Sequence, residues 1–276
     1  VDPRPGDGEH RDAGGPPSDL DGGAMDELDA RAGLDLAFDR AAARYDLLTG
    51  LNPGYHRHLA AAADALAGRL RSDPAVLLDL GCGSGSSTAA LARAIPRARI
   101  IGVDASAGML ARARAKPWPA RIDFVHAPAQ RLPDLGLPRA DGVMAAYLLR
   151  NLSPDDRDAV LASIHAELRP GGWLVVQEYS VAGRPLAVLT WDLVCWLVVI
   201  PLSWLVRGSP RLDRDLWRSV RGFDTTDQVA ARLAGAGFDA VEHRRAGGWQ
   251  RGVLHTFLAR RPFEGTQDAH RRTASR

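Results

Sequence analysis

The residues best suited to chemistry sit in one run, Asp79-Leu80-Gly81-Cys82-Gly83-Ser84-Gly85, followed by Ser86-Ser87-Thr88. The apolar stretch Val76 to Leu78 leads into it. This pattern describes a buried parallel strand, a tight turn and a helix N-terminus. Glycines in such a turn take backbone angles closed to other residues and let a ligand approach the main chain. In open α/β sheets ligands lie outside the carboxyl ends of the strands. A second apolar run, Arg99 to Val103, ends in Asp104, nineteen residues after Gly85. An acid about that far on binds ribose hydroxyls in nucleotide-binding α/β folds, through charge-assisted hydrogen bonds. A dinucleotide turn requires Gly-x-Gly-x-x-Gly. The third glycine of that pattern would fall at Ser86, which excludes it.

The Asp-x-Gly-x-Gly-x-Gly turn with its acid-ended second strand resembles the cofactor site of the class I S-adenosylmethionine-dependent methyltransferases. The resemblance implies S-adenosylmethionine as cofactor, with Asp79, Gly81, Gly83, Ser84 and Gly85 in the turn and Asp104 and Ala105 on the second strand's end. Met109 either packs on the adenine or belongs to the core. The family pair before Leu132-Pro133 falls on Pro128 and Ala129. Proline brings neither a side-chain hydrogen bond nor a backbone donor, so Gln130 is the candidate replacement. Ala146, at the end of the fourth strand, completes the cofactor set.

Two further stretches resemble the ubiquinone/menaquinone biosynthesis C-methyltransferases. One is Phe38-Asp39 through Tyr45-Asp46-x-Leu48, then Gly54-Tyr55-His56 and Leu59. The other is Leu149-Arg150-Asn151. The resemblance spans about residues 36 to 260. It implies a lipophilic aromatic acceptor, a quinol or phenol methylated at ring carbon. A cation beside the ring hydroxyl favours its ionisation, and Arg150 matches that role. Asn151 either holds the ring oxygen or caps the next helix. Tyr45 either closes the pocket or is a core aromatic. His255 either acts as a general base, for which an ordinary histidine pKa is suited, or is a satisfied sheet histidine; His56 and His58 have the same standing on the lid. O- or N-methylation of specialised metabolites or lipid head groups, and a non-catalytic cofactor-binding role, stay open.

These residues need a frame. Residues 1–33 are rich in Pro, Gly, Asp and Arg and read as a disordered tail. Residues 34–263 read as one domain, and 264–276 as a flexible tail. Helices are expected over 35–48 and 55–70, then strands and helices alternate, which predicts an α/β fold with a mostly parallel sheet. The resemblance implies a Rossmann-like class I methyltransferase with seven strands in the order 3-2-1-4-5-7-6, N-terminal lid helices and a helical insertion after strand 5. That insertion, 183–223, contains the almost wholly apolar run 186–206 with Trp191, Trp196 and Trp204. Its length permits a membrane span. Asp192 inside it and Pro201, expected to break it, argue against one. A buried wall of a greasy pocket and a helix pair resting on a membrane surface are the other readings, with Arg207, Arg211 and Arg214 placed to meet lipid heads or solvent.

Lys and Arg number 35 against 33 Asp and Glu, so the net charge of +2 carries no nucleic-acid footprint. Two cysteines, Cys82 and Cys195, match no metal spacing. No metal is expected, and reduced thiols point to a cytoplasmic setting, with membrane association through 186–206 as a further reading. The oligomeric state is open.

Overall fold

The computed structural model describes residues 54–119, 121–205 and 210–264. The tail 1–33, the first lid helix with Tyr45, and 265–276 lie outside the described residues.

Seven strands form one sheet: β1 (Val76–Leu80), β2 (Arg99–Asp104), β3 (Ile122–His126), β4 (Ala140–Ala146), β5 (Leu168–Tyr179), β6 (Asp239–Arg245) and β7 (Leu254–Arg260). Their order is β3-β2-β1-β4-β5-β7-β6. β7 alone runs opposite to the other six strands. The sheet matches the expected order, including the reversal at β7.

Eight α-helices accompany it among the described residues: α1 (Tyr55–Ala67), α2 (Ser86–Ala94), α3 (Ala107–Arg114), α4 (Pro154–Glu167), α5 (Pro185–Val194), α6 (Ile200–Leu205), α7 (Pro210–Arg221) and α8 (Thr226–Gly235). Side-chain alternation along β1 divides the core into two layers. Leu77 joins Leu59, Leu66, Leu91 and Trp191 on one face. Leu78 and Leu80 join Val160, Leu161, Ile164 and Leu233 on the other. Helices therefore cover both faces, as a mostly parallel sheet requires.

The helix starts follow local chemistry. Ser106 Oγ accepts from the Met109 amide at 3.1 Å and caps α3. Ser153 caps α4, with Pro154 at its first position. Thr225 and Gln228 form a capping box on α8.

Two expectations change. β5 starts at Leu168, not Trp173, because Leu168 pairs with Ala140 and the glycine turn sits inside the strand as an irregularity. Pro201 does not end the apolar helix. The chain runs from α5 through a π turn, Cys195–Val199, into α6, which contains Pro201. A proline removes one helical donor and crowds the preceding turn, and a widened π turn directly upstream is a known accommodation for such a disturbance.

Candidate active site

β1 delivers the chain into the glycine turn. Gly81, Gly83 and Gly85 have φ of +69°, +54° and +91°, the left-handed region where glycine has no steric cost. The turn ends at Gly85, and α2 starts at Ser86. Asp79 is fully buried behind it. Its Oδ2 accepts from Ser87 Oγ at 2.8 Å and Thr88 Oγ1 at 2.6 Å, tying the strand end to the first turn of α2. Its Oδ1 is buried with no hydrogen-bond partner. Burial pushes its pKa up to about 6 against the two hydroxyl bonds, and the nearby Asp104 charge adds to the rise.

Beyond the turn lies a cavity of about 180 Å³. Asp104 stands on its wall at the end of β2, with its carboxylate anchored by two amides. The Gly83 N–H donates to Oδ2 at 2.8 Å, and the Ser106 N–H to Oδ1 at 2.9 Å. Gly81, Gly83 and Ser84 line the cavity from the turn, and Ala105 and Met109 from the start of α3. Pro128, Ala129 and Gln130 line it where a 3-10 turn, Ala129–Leu135, follows β3. Ala146, Arg150 and Asn151 line it after β4.

Two residues expected as cofactor contacts are not on that wall. Asp79 turns back to α2. Gly85 faces away, and a Cβ there would lie 2.8 Å from the Trp118 ring. Both shape the turn rather than face the cavity.

Sequence reasoning missed the aromatic wall. Tyr55 and Tyr147 line the cavity and stack at 5.4 Å between ring centroids. Tyr147 also meets Tyr179 at 5.1 Å, and Tyr179 meets Trp191 of α5 at 5.2 Å. Gln177 Nε2 donates to the Tyr147 hydroxyl at 2.7 Å. Burial holds that hydroxyl well above its ordinary pKa, so it is neutral. Tyr147 has φ of +59°, an uncommon angle for a bulky residue and one that clusters at functional sites. Nothing local in the sequence marks it; Tyr55 was visible in the lid wording.

Arg150 differs from expectation in its electrostatics. Its Nη1 donates to Glu178 Oε1 at 2.7 Å and to the Tyr147 carbonyl at 3.1 Å. Both side chains are buried, so the pair presents little net charge to the cavity. Asn151 Nδ2 also donates to the Tyr147 carbonyl, at 3.1 Å. It does not cap α4, because Ser153 does.

His255 is removed from the cavity. It lies on β7 opposite Glu178 of β5, fully buried. Arg184 Nη2 donates to its Nε2 at 2.9 Å. The guanidinium has no acceptor, so the ring proton sits on Nδ1, which donates to His243 Nε2 at 2.8 Å. Burial, then the Arg184 charge, lowers its pKa to about 4. A weak base outside the cavity cannot take a substrate proton, which leaves His255 as a satisfied interior histidine. His56 and His58 do not line the cavity either. None of the described residues of the apolar insertion lines this cavity. Among the described residues no His, Cys, Asp or Glu cluster could hold a metal.

The site fits S-adenosylmethionine. Asp104 offers an anchored carboxylate for ribose hydroxyls, and Gly83 leaves open space where a side chain would stand. Fold and site together define a class I S-adenosylmethionine-dependent methyltransferase.

Comparison with known proteins agrees. Residues 77–172 match the methyltransferase domain family. The ubiquinone/menaquinone biosynthesis C-methyltransferase UbiE of Syntrophotalea carbinolica is 34% identical over 224 residues, covering 78% of this chain and 91% of that protein. The demethylmenaquinone methyltransferase of Clavibacter sepedonicus is 33% identical over 169 residues, covering 61% of this chain and 67% of that protein. Among solved structures, human N-acetylserotonin methyltransferase in complex with S-adenosylmethionine superposes with a TM-score of 0.56 at 20% identity. That match covers 83% of this chain and 56% of the human one, and it supports the fold alone. The chain belongs to the family of the ubiquinone/menaquinone biosynthesis C-methyltransferases.

Proposed function

We propose that this methyltransferase methylates a ring carbon of a lipid-soluble quinol or phenol. The observation that carries the reading is the placement of Leu149-Arg150-Asn151, the segment that resembles the quinone enzymes, shortly after a strained Tyr147 on an aromatic cavity wall. Bound S-adenosylmethionine supplies an electrophilic sulfonium methyl, whose bond to sulfur breaks as the bond to the ring carbon forms. The glycine turn and Asp104 orient that donor, and proximity supplies much of the rate. Tyr55 and Tyr147 offer flat apolar faces to an aromatic ring. Arg150, paired with Glu178, sets the position of the Tyr147 carbonyl and the adjoining wall rather than acting as a bare cation. Among the described lining residues Asp104 is the only carboxylate and none is a histidine. In this reading the ring hydroxyl and ring-carbon protons pass to water at the cavity mouth.

The test is incubation with isotopically labelled methyl donor and demethylmenaquinol, followed by mass spectrometry that locates the label. Label on ring carbon supports the reading. Label on oxygen or nitrogen of another acceptor, with none on the quinol, overturns it in favour of O- or N-methylation.

A further inference from the structure

The α5–α6 helix has two unlike faces. Ala187, Trp191 and Cys195, four residues apart, are buried on the domain. Leu186, Leu189, Leu193, Trp196, Leu197 and Trp204 are exposed, Leu186 at 81% and Trp204 at 68%. Their spacing keeps most of them on one side of the helix. The stretch Pro185–Leu202 has a mean hydropathy of 2.0, yet only 17% of it is buried. Soluble monomers rarely leave an apolar patch of this kind uncovered.

The neighbouring helix supplies charge. α7 packs on α5 and the π turn. Trp217 meets Trp196 with centroids 6.1 Å apart, and Asp192 accepts from Trp217 Nε1 and Arg221 Nη1, both at 2.8 Å. Arg214, Arg218 and Arg221 are exposed and recur at helical spacing. Of the carboxylates with described side chains on these helices, Asp192 is taken by α7, and Asp215 lies next to Arg214. An apolar stripe with tryptophans beside a row of arginines is the composition of a helix lying in a membrane interface.

We infer that the exposed face of α5–α6, flanked by the arginines of α7, docks this protein onto an anionic lipid bilayer surface. The helix lies in the interface plane and does not span the bilayer. Its opposite face is fixed on the protein core through Trp191, and a spanning helix would carry Asp192 into hydrocarbon. The aromatic series Trp191, Tyr179, Tyr147 and Tyr55 joins the inner face of this helix to the cavity wall. Docking therefore sets the cavity near the surface from which a lipid-soluble acceptor comes. The surface itself is argued from exposure and charge and does not depend on the acceptor's identity.

The experiment is co-sedimentation of the full chain with phosphatidylcholine vesicles, with and without phosphatidylglycerol. Binding to the phosphatidylglycerol vesicles is expected, weakening as salt rises. The triple variant Leu189→Ser, Trp196→Ser, Leu197→Ser should weaken it by about 100-fold or more. Arg214→Glu with Arg218→Glu should weaken it by at least about 30-fold. Both variants should keep the wild-type calorimetric affinity for S-adenosylhomocysteine and, with acceptor in detergent, the wild-type methylation rate, which separates docking from acceptor choice. Absence of sedimentation, equal binding with and without phosphatidylglycerol, or light scattering showing that the stripe instead closes a dimer would each overturn the inference.

Discussion

At the scale of single residues, two carboxylates on neighbouring strands do opposite work. Asp104 faces the cavity with both oxygens oriented by amides. Asp104→Ala should weaken S-adenosylhomocysteine binding by about 100-fold, the worth of two charge-assisted hydrogen bonds at the low end of their range; calorimetry reads it directly. Asp79 faces inward with its pKa raised to about 6. The folded form holds that proton more tightly than the unfolded chain. Its contribution to stability is therefore full below the ordinary carboxylate range and is lost as pH rises through about 6. Asp79→Asn keeps an acceptor for Ser87 and Thr88 without the charge. Relative to the wild type, the variant should gain on the order of 3 kcal/mol between pH 4 and pH 7, measured by urea unfolding without cofactor.

At the scale of elements, the wall after β4 is held by one buried ion pair that joins the Arg150 turn to β5. Removing one partner leaves the other charge buried and uncompensated, at a cost of about 3–5 kcal/mol. Glu178→Gln should lower Tm by roughly 10 °C for a domain of this size, and Arg150→Met combined with Glu178→Leu should recover part of the loss. β7 carries a histidine contact of the other sign. His255, held near pKa 4 by burial and Arg184, adds stability that is full above about pH 6.5 and is lost as pH falls through 4. Protonation breaks the bond accepted from Arg184, so acid unfolding should begin on the β6–β7 side. Hydrogen exchange of the β7 amides at pH 4 and pH 7 checks this: they should lose protection at pH 4 before those of β1.

At the scale of the whole molecule, the cofactor cleft is open to a ligand that the unfolded chain cannot hold. S-adenosylhomocysteine at about 100 times its dissociation constant should stabilise the fold by about 2.7 kcal/mol, a rise in Tm of roughly 5–10 °C, visible in a thermal scan. At the same ligand concentration, Asp104→Ala should cut the shift to about 1–2 °C. The same fold carries an apolar helix outside its core, between β5 and α8. That helix costs the sheet nothing, because its inner face alone completes the packing around Trp191.

Much of this was legible in the chain before any coordinates. β2 ends at Asp104, where its apolar run does, because a strand buried on both faces is a local compositional event. The cofactor turn was legible for the same reason: three glycines at fixed spacing admit few backbone paths. The strand order came from resemblance to a family, not from spacing. What local pattern cannot carry is which partner a side chain meets. Asp79 turned to α2 rather than the cavity. Arg150 found Glu178, 28 residues on. His255 was matched to the site by its place in the family pattern, yet β7 enters antiparallel beside β5 and puts it against Arg184 and His243. The apolar run 186–206 reads alike whether buried, spanning or surface-bound. Only the packed molecule shows that one side of that helix is covered and the other exposed, since burial is a property of neighbours brought together by the fold and not of the residues themselves.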